Sequence, residues 1–505
     1  YKGPLSLSAD EDPAGGKLFD RGRDRDPAHP KHPDKLRFRW DPVTCLQTAI
    51  PDLAYNMIFD LYIFRGVEFL VIRLHLLRLF LFRVSINIHH NGSDRNQGAA
   101  KDRGMFYRLS ENHCSEKNAE QDSGIIVDTD LGCRSKTVCV CDKYLSERAE
   151  ETDQHQEQEL AQIRITAPEE AVRSLVKKHW DTLAKPLDGM GSFETITAQI
   201  GAILGTEQID LRKKGVLIFC ADNGIVEEGV SQTGQEVTLA VAKSMARKGS
   251  SVCKMAQSIG AETIPVDIGI NSEESIPGVL DRKVRPGTRN FLKEPTMTEE
   301  ETVRAIVTGI ELVQDCKEKG YGLLATGEMG IGNTTTSSAV TAALLQCEAE
   351  EVTGRGAGLT DQGLTRKQQV VRTALETYDL WHADAFTVLQ TVGGLDIAGL
   401  TGMCIGGALW HIPIVLDGVI SMAAALVAEH LFPGVREYLL PSHLGKEPAA
   451  VKLADALQLS PVIHAGMALG EGTGAVMMFT LLDMAMSIYG QSATFSEIEV
   501  EQYRR

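Results

Sequence analysis

The pattern of apolar and polar positions changes partway along this chain of 505 residues. From about residue 161, short apolar runs alternate with segments whose apolar residues recur at helical spacing, as is typical of a parallel sheet covered on both faces. The apolar runs predict buried strands at residues 216–220, 262–267, 322–325 and 412–416. The helical spacing predicts helices at residues 240–258, 299–319, 335–346, 366–378 and 419–430. The wide strand spacing suits right-handed crossover connections.

The first third of the chain has a different pattern. Residues 1–39 are polar and rich in Asp, Arg, Pro and Gly, which predicts a disordered or loosely held tail. Residues 57–88 are rich in Leu, Phe and Ile but contain four arginines, which disfavours a membrane span and favours a basic amphipathic helix on a surface. Membrane contact through this segment is the weaker alternative. We therefore predict a poorly ordered extension at residues 1–155 and a catalytic region at residues 156–505. The chain begins with Tyr1, so its true start is left open.

Two motifs in the extension resemble functional sites only superficially. Asp128 and Asp130 resemble the aspartate pair of nucleoside hydrolases, but the further aspartates that such a site needs do not follow. Cys133, Cys139 and Cys141 lack the paired spacing of a zinc knuckle, so ordinary thiols are expected.

Composition narrows the class of protein. A net charge of −17 and a pI near 5.3 argue against a general nucleic-acid binder. Ten cysteines without a dense framework fit a reducing compartment, so a cytoplasmic location is expected.

Candidate chemistry lies where predicted strands end, because ligands of open α/β sheets bind outside the carboxyl ends of the strands. The strand at 216–220 leads to Asp222, and the string continues to Ser231 and Gln235, which can hydrogen-bond the polar edge of a heterocycle. A turn followed by a helix cap is the structural alternative.

A second string joins a strand to a glycine loop and a helix start, GEMGIGNTT at residues 327–335. Free N–H groups at such a start suit a phosphate, although the spacing is not that of a Walker loop. A third string places Gly356 ahead of Lys367, which could carry a phosphate contact at another helix start or lie on a solvated helix face. Further strings contain Gly394 and Asp417, for which structural packing is the alternative.

Near the C-terminus a lone carboxylate, Glu471, stands in the glycine frame LGEGTGA. The glycines allow close approach of the backbone to a ligand. The preceding apolar stretch is expected to withdraw the carboxylate partly from water, which favours its use as a general base. The alternative is a helix N-terminus whose macrodipole the carboxylate complements.

Taken in order, seven strings resemble the nicotinate-nucleotide–dimethylbenzimidazole phosphoribosyltransferase (CobT) family: ADNGIVEEGVSQTGQEVT, GEMGIGNTT, GRGAGL, GGLDIAGL, PIVLDGVIS, SHLGKEP and LGEGTGA. The match covers roughly residues 161–495. It implies transfer of phosphoribose from nicotinate mononucleotide to 5,6-dimethylbenzimidazole, giving α-ribazole 5′-phosphate and nicotinate in assembly of the cobalamin lower ligand. It also implies a Rossmann-like three-layer α/β/α fold with a mostly parallel sheet, a small helical domain and a homodimer.

The resemblance also implies residue roles. Glu471 matches the family's base, and Glu328 is expected to orient the heterocycle or share the proton. Lys367 and the glycine-loop N–H groups are expected to hold the 5′-phosphate. No metal or cofactor is expected, because the donor carries no pyrophosphate. The other residues expected to bind substrate are Asp222, Ser231, Gln235, Gly330, Ile331, Gly332, Asn333, Thr334, Gly356, Gly394, Asp417, Leu469 and Gly470.

The chain departs from the family pattern at Asn223, Gly234, Ala449, Ala450 and Ala468. The family usually has His, Pro, Gly, His and Arg there, so base and phosphate binding are affected more than the reaction class. One alternative function is transfer to another base, such as adenine, a phenol or a differently substituted benzimidazole. Others are a non-catalytic nucleotide binder and a membrane-anchored protein dominated by residues 57–88.

Overall fold

The computed structural model describes Leu160 and residues 163–505, so the predictions for residues 1–155 lie outside the described part. The described strands form one six-stranded, fully parallel sheet in the order β3-β2-β1-β4-β5-β6. Their bounds are β1 Lys214–Ala221, β2 Glu262–Gly269, β3 Leu280–Asp281, β4 Leu323–Met329, β5 Ile414–Leu416 and β6 Leu439–Pro441. The four predicted strands are confirmed, whereas the two-residue β3 and the three-residue β6, which ends at Pro441, were not predicted.

Helices cover both faces of this sheet, as the prediction of a three-layer α/β/α fold required. The first seven are α1 Glu170–Thr182, α2 Ser192–Leu204, α3 Glu236–Ala246, α4 Ser251–Ser258, α5 Glu299–Glu318, α6 Asn333–Leu345 and α7 Ala349–Val352. The remaining six are α8 Asp361–Tyr378, α9 Ala385–Val392, α10 Leu395–Leu409, α11 Val419–Leu431, α12 Ala449–Ala456 and α13 Thr473–Gln491.

The central strand β1 shows why a strand of this sheet has a continuous run of apolar residues in the sequence. Val216, Ile218 and Cys220 belong to the apolar cluster on one face. Leu217 and Phe219 belong to the cluster on the other face. Successive side chains of a strand point to opposite faces, so a strand buried on both faces cannot show polar alternation.

The single helix predicted at residues 240–258 is wrong, because the structure has two helices there. Lys248 has a positive φ of 57°, and Ser250 is the N-cap of α4. The chain therefore turns between α3 and α4, and α4 begins as a separate helix with its own N-terminus. The segment at 395–409, which we treated only as a glycine-rich string, is the fully buried helix α10 packed against α5.

A third, smaller cluster joins the two ends of the described region. It contains Val176 and Trp180 from α1, Ala198 from α2 and Tyr489 from α13. Helices from the start and the end of the described region thus share a small apolar cluster apart from the two that cover the sheet. Among the described helices, α13 alone is long and apolar enough to cross a membrane, and half of it is buried inside the domain, as in a core helix.

The strand order places a topological switch between β1 and β4, from which the chain winds in opposite directions across the sheet. In doubly wound sheets, ligands bind at the carboxyl ends of the strands near this switch. The polar and glycine-rich strings after β1, β4 and β5 all lie at that end of the sheet.

Candidate active site

A cavity of about 240 Å³ opens beyond the carboxyl ends of β4, β5 and β6. Its wall consists of the segments that follow these strands, the loop at residues 356–357 and the stretch at residues 467–471. A larger cavity of about 820 Å³ lies beside Lys214 at the opposite end of β1. There Lys214 is paired with Asp483 at 2.8 Å, and the position is the wrong end of the sheet for a ligand site.

Most of the predicted site residues border the cavity at the strand ends. These are Glu328, Gly330, Ile331, Asn333, Thr334, Gly356, Asp417, Leu469, Gly470 and Glu471. Six predicted residues do not border it, namely Asp222, Ser231, Gln235, Gly332, Lys367 and Gly394. Gly332 nevertheless serves as the N-cap of α6 with a φ of 95°, so it shapes the loop.

Asp222 and Gln235 support the neighbouring loops instead of the cavity wall. Buried Asp222 accepts a hydrogen bond at 2.8 Å from the backbone N–H of Asn271. Gln235 donates to the Asn223 carbonyl at 3.1 Å and accepts from the Asn271 side chain at 3.1 Å. Ser231 accepts from the N–H of Thr233 at 3.3 Å, a local turn contact. In this structure, each of these three side chains contacts the protein itself, while Asp222 Oδ1 is buried without a hydrogen-bond partner.

The placement of Lys367 at a helix start is wrong, because α8 begins at Asp361 with Thr360 as its cap. Lys367 lies in the second turn and is fully buried. Its Nζ donates to Thr334 Oγ1 at 2.8 Å and lies near Gly356, so the ammonium approaches the cavity from behind its wall. Burial lowers the pKa of Lys367 to about 8.

Glu328, at the end of β4, lies in a buried polar network. The Nδ2 of Asn333, the first residue of α6, hydrogen-bonds Glu328 Oε2 and Asp396 Oδ2, the latter at 3.0 Å. Burial raises the pKa of Glu328 to about 8, and the carboxylates of Asp396 and Asp417 add to the rise. Burial also raises the pKa of Asp396 to about 6. At neutral pH Glu328 therefore carries a proton and can donate a hydrogen bond.

Glu471 lies next to Glu328 but has a different environment. It is partly buried, and its Oε2 accepts a hydrogen bond at 3.1 Å from the N–H of Val252. That N–H is in the first turn of α4, so Glu471 caps this helix and not the one that follows it in sequence. Gly470 has a φ of 82°, and a Cβ there would lie 2.6 Å from Glu328 Oε1. Only glycine therefore fits at position 470, where the backbone passes directly beside the Glu328 carboxyl group.

Asp417 anchors the start of α13, the helix that follows Glu471 in the chain. Its carboxylate accepts from the N–H groups of Gly472, Gly474 and Ala475, at 3.2, 2.8 and 3.2 Å. Burial raises the pKa of Asp417, while His443 and the three N–H groups oppose the shift. His443 lies 4.0 Å from Asp417 and borders the cavity. The β5 end thus fixes the start of α13.

Sequence reasoning missed Asp396, Ser421, His443 and Lys446. The last three border the cavity, and Asp396 joins the Glu328 network. All four lie in sequence strings that resemble the family. Polar side chains close to glycines in those strings could have identified them as candidate site residues. Of the departures from the family pattern, Ala468 borders the cavity, whereas Ala449 and Ala450 pack in the core.

The cavity wall therefore offers a protonated acid, a partly buried carboxylate and the polar residues Asn333 and Thr334 at the start of α6. Within residues 163–505, no cluster of three or more His, Cys, Asp or Glu side chains is arranged to hold a metal ion. These groups suit a substitution in which one proton is removed and an anionic substrate is held in place.

Comparison with known proteins identifies the family. A family model described as phosphoribosyltransferase matches residues 165–500. The nicotinate-nucleotide–dimethylbenzimidazole phosphoribosyltransferase of Ruminiclostridium cellulolyticum is 42% identical over 65% of this chain and 93% of its own length, and that of Acetivibrio thermocellus is 42% identical over 65% and 94%. The crystal structure of CobT from Thermus thermophilus is 37% identical, with a TM-score of 0.63 over 66% of this chain and 100% of that one. The chain belongs to the nicotinate-nucleotide–dimethylbenzimidazole phosphoribosyltransferase family.

Proposed function

We propose that this protein transfers the phosphoribosyl group of nicotinate mononucleotide to 5,6-dimethylbenzimidazole, as the names of its relatives describe. The products are α-ribazole 5′-phosphate and nicotinate, and the reaction belongs to cobalamin assembly. The observation that carries the proposal is the placement of Glu328 and Glu471 on one wall of a cavity at the carboxyl ends of the strands.

The chemistry requires one proton to be removed. One nitrogen of dimethylbenzimidazole forms a bond to the anomeric carbon, while the bond from that carbon to the pyridinium nitrogen breaks. The bonding pair returns to the pyridine ring and leaves nicotinate. The N–H at the other benzimidazole nitrogen gives its proton to Glu471. Attack opposite the leaving group converts the β configuration to α.

The two carboxyl groups have separate roles in this proposal. Glu471 is held by a single backbone N–H, so its carboxylate keeps accepting capacity toward the cavity. Glu328 is protonated below about pH 8 and donates a hydrogen bond that orients the heterocycle. Neighbouring carboxyl groups in different environments can thus act as acid and base at one pH.

The phosphate of the donor binds at the start of α6. Asn333 and Thr334 at the start of α6 border the cavity, and Thr334 Oγ1 is backed by the buried ammonium of Lys367. A buried ammonium without a carboxylate partner at hydrogen-bond distance suits a dianionic ligand.

The assembled enzyme is proposed to be a cytoplasmic homodimer. Leu469 beside the cavity is 55% exposed, and the outward face of α13 carries Met477 and Met484, also exposed. Exposed apolar side chains beside an open site are typical of a surface covered by a partner. Light scattering of the purified chain tests this, since a monomer at micromolar concentration contradicts it.

Mass detection of α-ribazole 5′-phosphate tests the function directly. Purified protein is incubated with both substrates, with and without EDTA, and product is expected in both samples because the donor carries no pyrophosphate. Adenine and phenol in place of dimethylbenzimidazole serve as acceptor controls. Formation of product only with another acceptor would overturn the choice of base, and no product with any acceptor would overturn the transferase assignment.

A further inference from the structure

The helix α4 begins in an unusual way, because its N-cap serine does not cap it. Ser250 has the extended backbone of an N-cap, with φ −72° and ψ 167°, yet its side chain accepts no hydrogen bond from the helix. A serine at this position ordinarily accepts from the second or third N–H of the helix, which here belong to Val252 and Cys253. The N–H of Val252 instead donates to Glu471 Oε2 at 3.1 Å, although the two residues are 219 positions apart in the chain. The proposed base therefore caps α4 in place of the serine.

This arrangement leaves the hydroxyl of Ser250 without a partner. Ser250 is 7% exposed, and its Oγ has no hydrogen-bond partner. A buried hydroxyl ordinarily has one, since leaving it unpaired destabilises the protein. The backbone of Ser250 already has the capping conformation, so rotation about χ1 alone can bring the hydroxyl to the helix N-terminus. Two oxygens, one from Ser250 and one from Glu471, thus compete for the same donors.

The backbone of Glu471 supports a function for its contact with α4. Glu471 has a φ of 61°, in the left-handed region that residues with long side chains seldom adopt. Such a conformation is unfavourable and persists only where the surrounding structure holds it. It places the carboxylate against the start of α4 while the residue borders the cavity. The side chain therefore contacts the helix cap and the cavity wall together.

The helix α4 is held in place from two sides. Val252 and Cys253 belong to the apolar cluster on one face of the sheet, and α4 packs against α13 and β2. In the turn before the helix, Lys248 Nζ donates to the Thr263 carbonyl oxygen of β2 at 2.7 Å. The N-terminus of α4 therefore stays fixed when Glu471 changes its hydrogen bonds, and an exchange of caps involves side chains alone.

We propose that Ser250 is a positioning residue for the transfer reaction, a second cap of α4 that replaces Glu471 during each turnover. The inference rests on the proposed function, in which Glu471 takes the proton from the benzimidazole N–H. A carboxylate is a stronger acceptor than a neutral carboxyl group, and a helix N-terminus favours an anion. Once Glu471 holds the proton, its bond to the Val252 N–H is weakened, and the Ser250 hydroxyl accepts that N–H instead. Loss of the proton from Glu471 to water restores the resting arrangement.

A double-mutant cycle measured by urea unfolding tests the exchange of caps without any turnover. In the ligand-free protein Glu471 caps α4, so Ser250→Ala should leave the unfolding equilibrium constant within about twofold of the wild type. In the Glu471→Ala background the serine is the remaining cap, and the same substitution should raise that constant about fivefold. Thr298→Ala is the matched control, because Thr298 caps α5 by accepting from Glu301 N–H at 3.1 Å and should destabilise both backgrounds alike. Equal effects of Ser250→Ala in the two backgrounds would overturn the proposal.

Single-turnover kinetics test the role of Ser250 in the reaction. Ser250→Ala leaves the buried N–H of Val252 without a strong acceptor once Glu471 is protonated, so the single-turnover rate should fall about fivefold. KM for both substrates should stay within about twofold, because Ser250 does not border the cavity. Ser250→Thr keeps a hydroxyl and should restore the rate, and Ser251→Ala at the exposed neighbouring serine should leave it unchanged.

The two experiments separate this proposal from the proposed function. A single-turnover rate in Ser250→Ala equal to that of the wild type would overturn the role of Ser250 while leaving the transferase assignment intact. If no product forms with any acceptor, the proposed function fails, and the unfolding cycle still decides whether Ser250 and Glu471 share one donor.

Discussion

At the scale of single residues, two neighbouring carboxyl groups differ because their surroundings differ. Glu328 is withdrawn from water among other carboxylates, whereas Glu471 is half-buried and caps α4 through Val252. Sequence identifies both residues as acids beside glycine but cannot show which is desolvated, because that depends on Asp396 and Asn333, distant in the chain.

Glu471→Gln should lower kcat by a factor on the order of 10²–10⁴, since removal of a general base typically costs that much. The amide oxygen still accepts the Val252 N–H, so the cap on α4 and the melting temperature should be retained. Steady-state kinetics with both substrates and a thermal melt check this. Turnover near that of the wild type would remove the base assignment.

Glu328 should make the folded state less stable as pH rises. Below its ordinary pKa of 4.5, folded and unfolded chains both hold the proton, and between 4.5 and about 8 only the folded chain does. The folded state binds more protons in that window, so stability falls from pH 4.5 to 8 and the loss is complete above 8. Urea unfolding between pH 5 and 9 should show a flatter profile for Glu328→Gln. Glu311→Gln on the exposed face of α5 is the control and should follow the wild type.

Lys367→Ala should raise KM for nicotinate mononucleotide and lower kcat/KM roughly tenfold or more, because a charged hydrogen bond to phosphate contributes about 1.5–3 kcal/mol. KM for dimethylbenzimidazole should change less than twofold. In the wild type, donor KM should rise above pH 8 as the buried ammonium loses its proton. Equal effects on both substrates would move the phosphate assignment to the α6 loop alone.

At the scale of elements, the long periodic segments were predictable and the junctions were not. The strands at β1, β2 and β4 and the helices α5, α6 and α11 follow from apolar runs and helical spacing. The break between α3 and α4 was missed, because it is stabilised by Glu471 about 220 residues later in the chain. The helix α10 was missed because its glycines, which allow close packing on α5, resemble a loop.

Substitution of Gly472, the N-cap of α13, tests how much the junction between Glu471 and α13 contributes to stability. It has a φ of 98°, and an added Cβ would lie 2.7 Å from Val216 Cγ1 and 3.0 Å from the Thr326 carbonyl oxygen. Gly472→Ala should destabilise the fold by at least about 1–2 kcal/mol, and lower activity by displacing Glu471. Gly490→Ala near the end of the same helix is the control, because a Cβ there meets nothing within 4 Å. Equal melting temperatures for the two variants would contradict this account of the junction.

At the scale of the whole molecule, the described region is stabilised by contacts of the short segment with which it begins. Its first residues pack on the main core, where Leu160, Ile163 and Ile165 are partly buried. Tyr438 OH donates to the Thr166 carbonyl at 2.8 Å, which ties this segment beside β6. Every residue bordering the cavity comes from residues 328–471.

A chain shortened to begin at residue 159 should therefore fold and keep the kcat/KM of the full chain within about twofold. A chain that begins at residue 169 lacks the three apolar residues at 160, 163 and 165 and the Thr166 carbonyl. Partial burial of an apolar side chain is worth roughly 1 kcal/mol, so the second chain should be less stable by about 2–4 kcal/mol while its site remains intact. Urea unfolding and product formation distinguish the two. If the first chain is soluble but inactive, the preceding residues contribute to the site, and the prediction that residues 156–505 form the whole catalytic region is wrong.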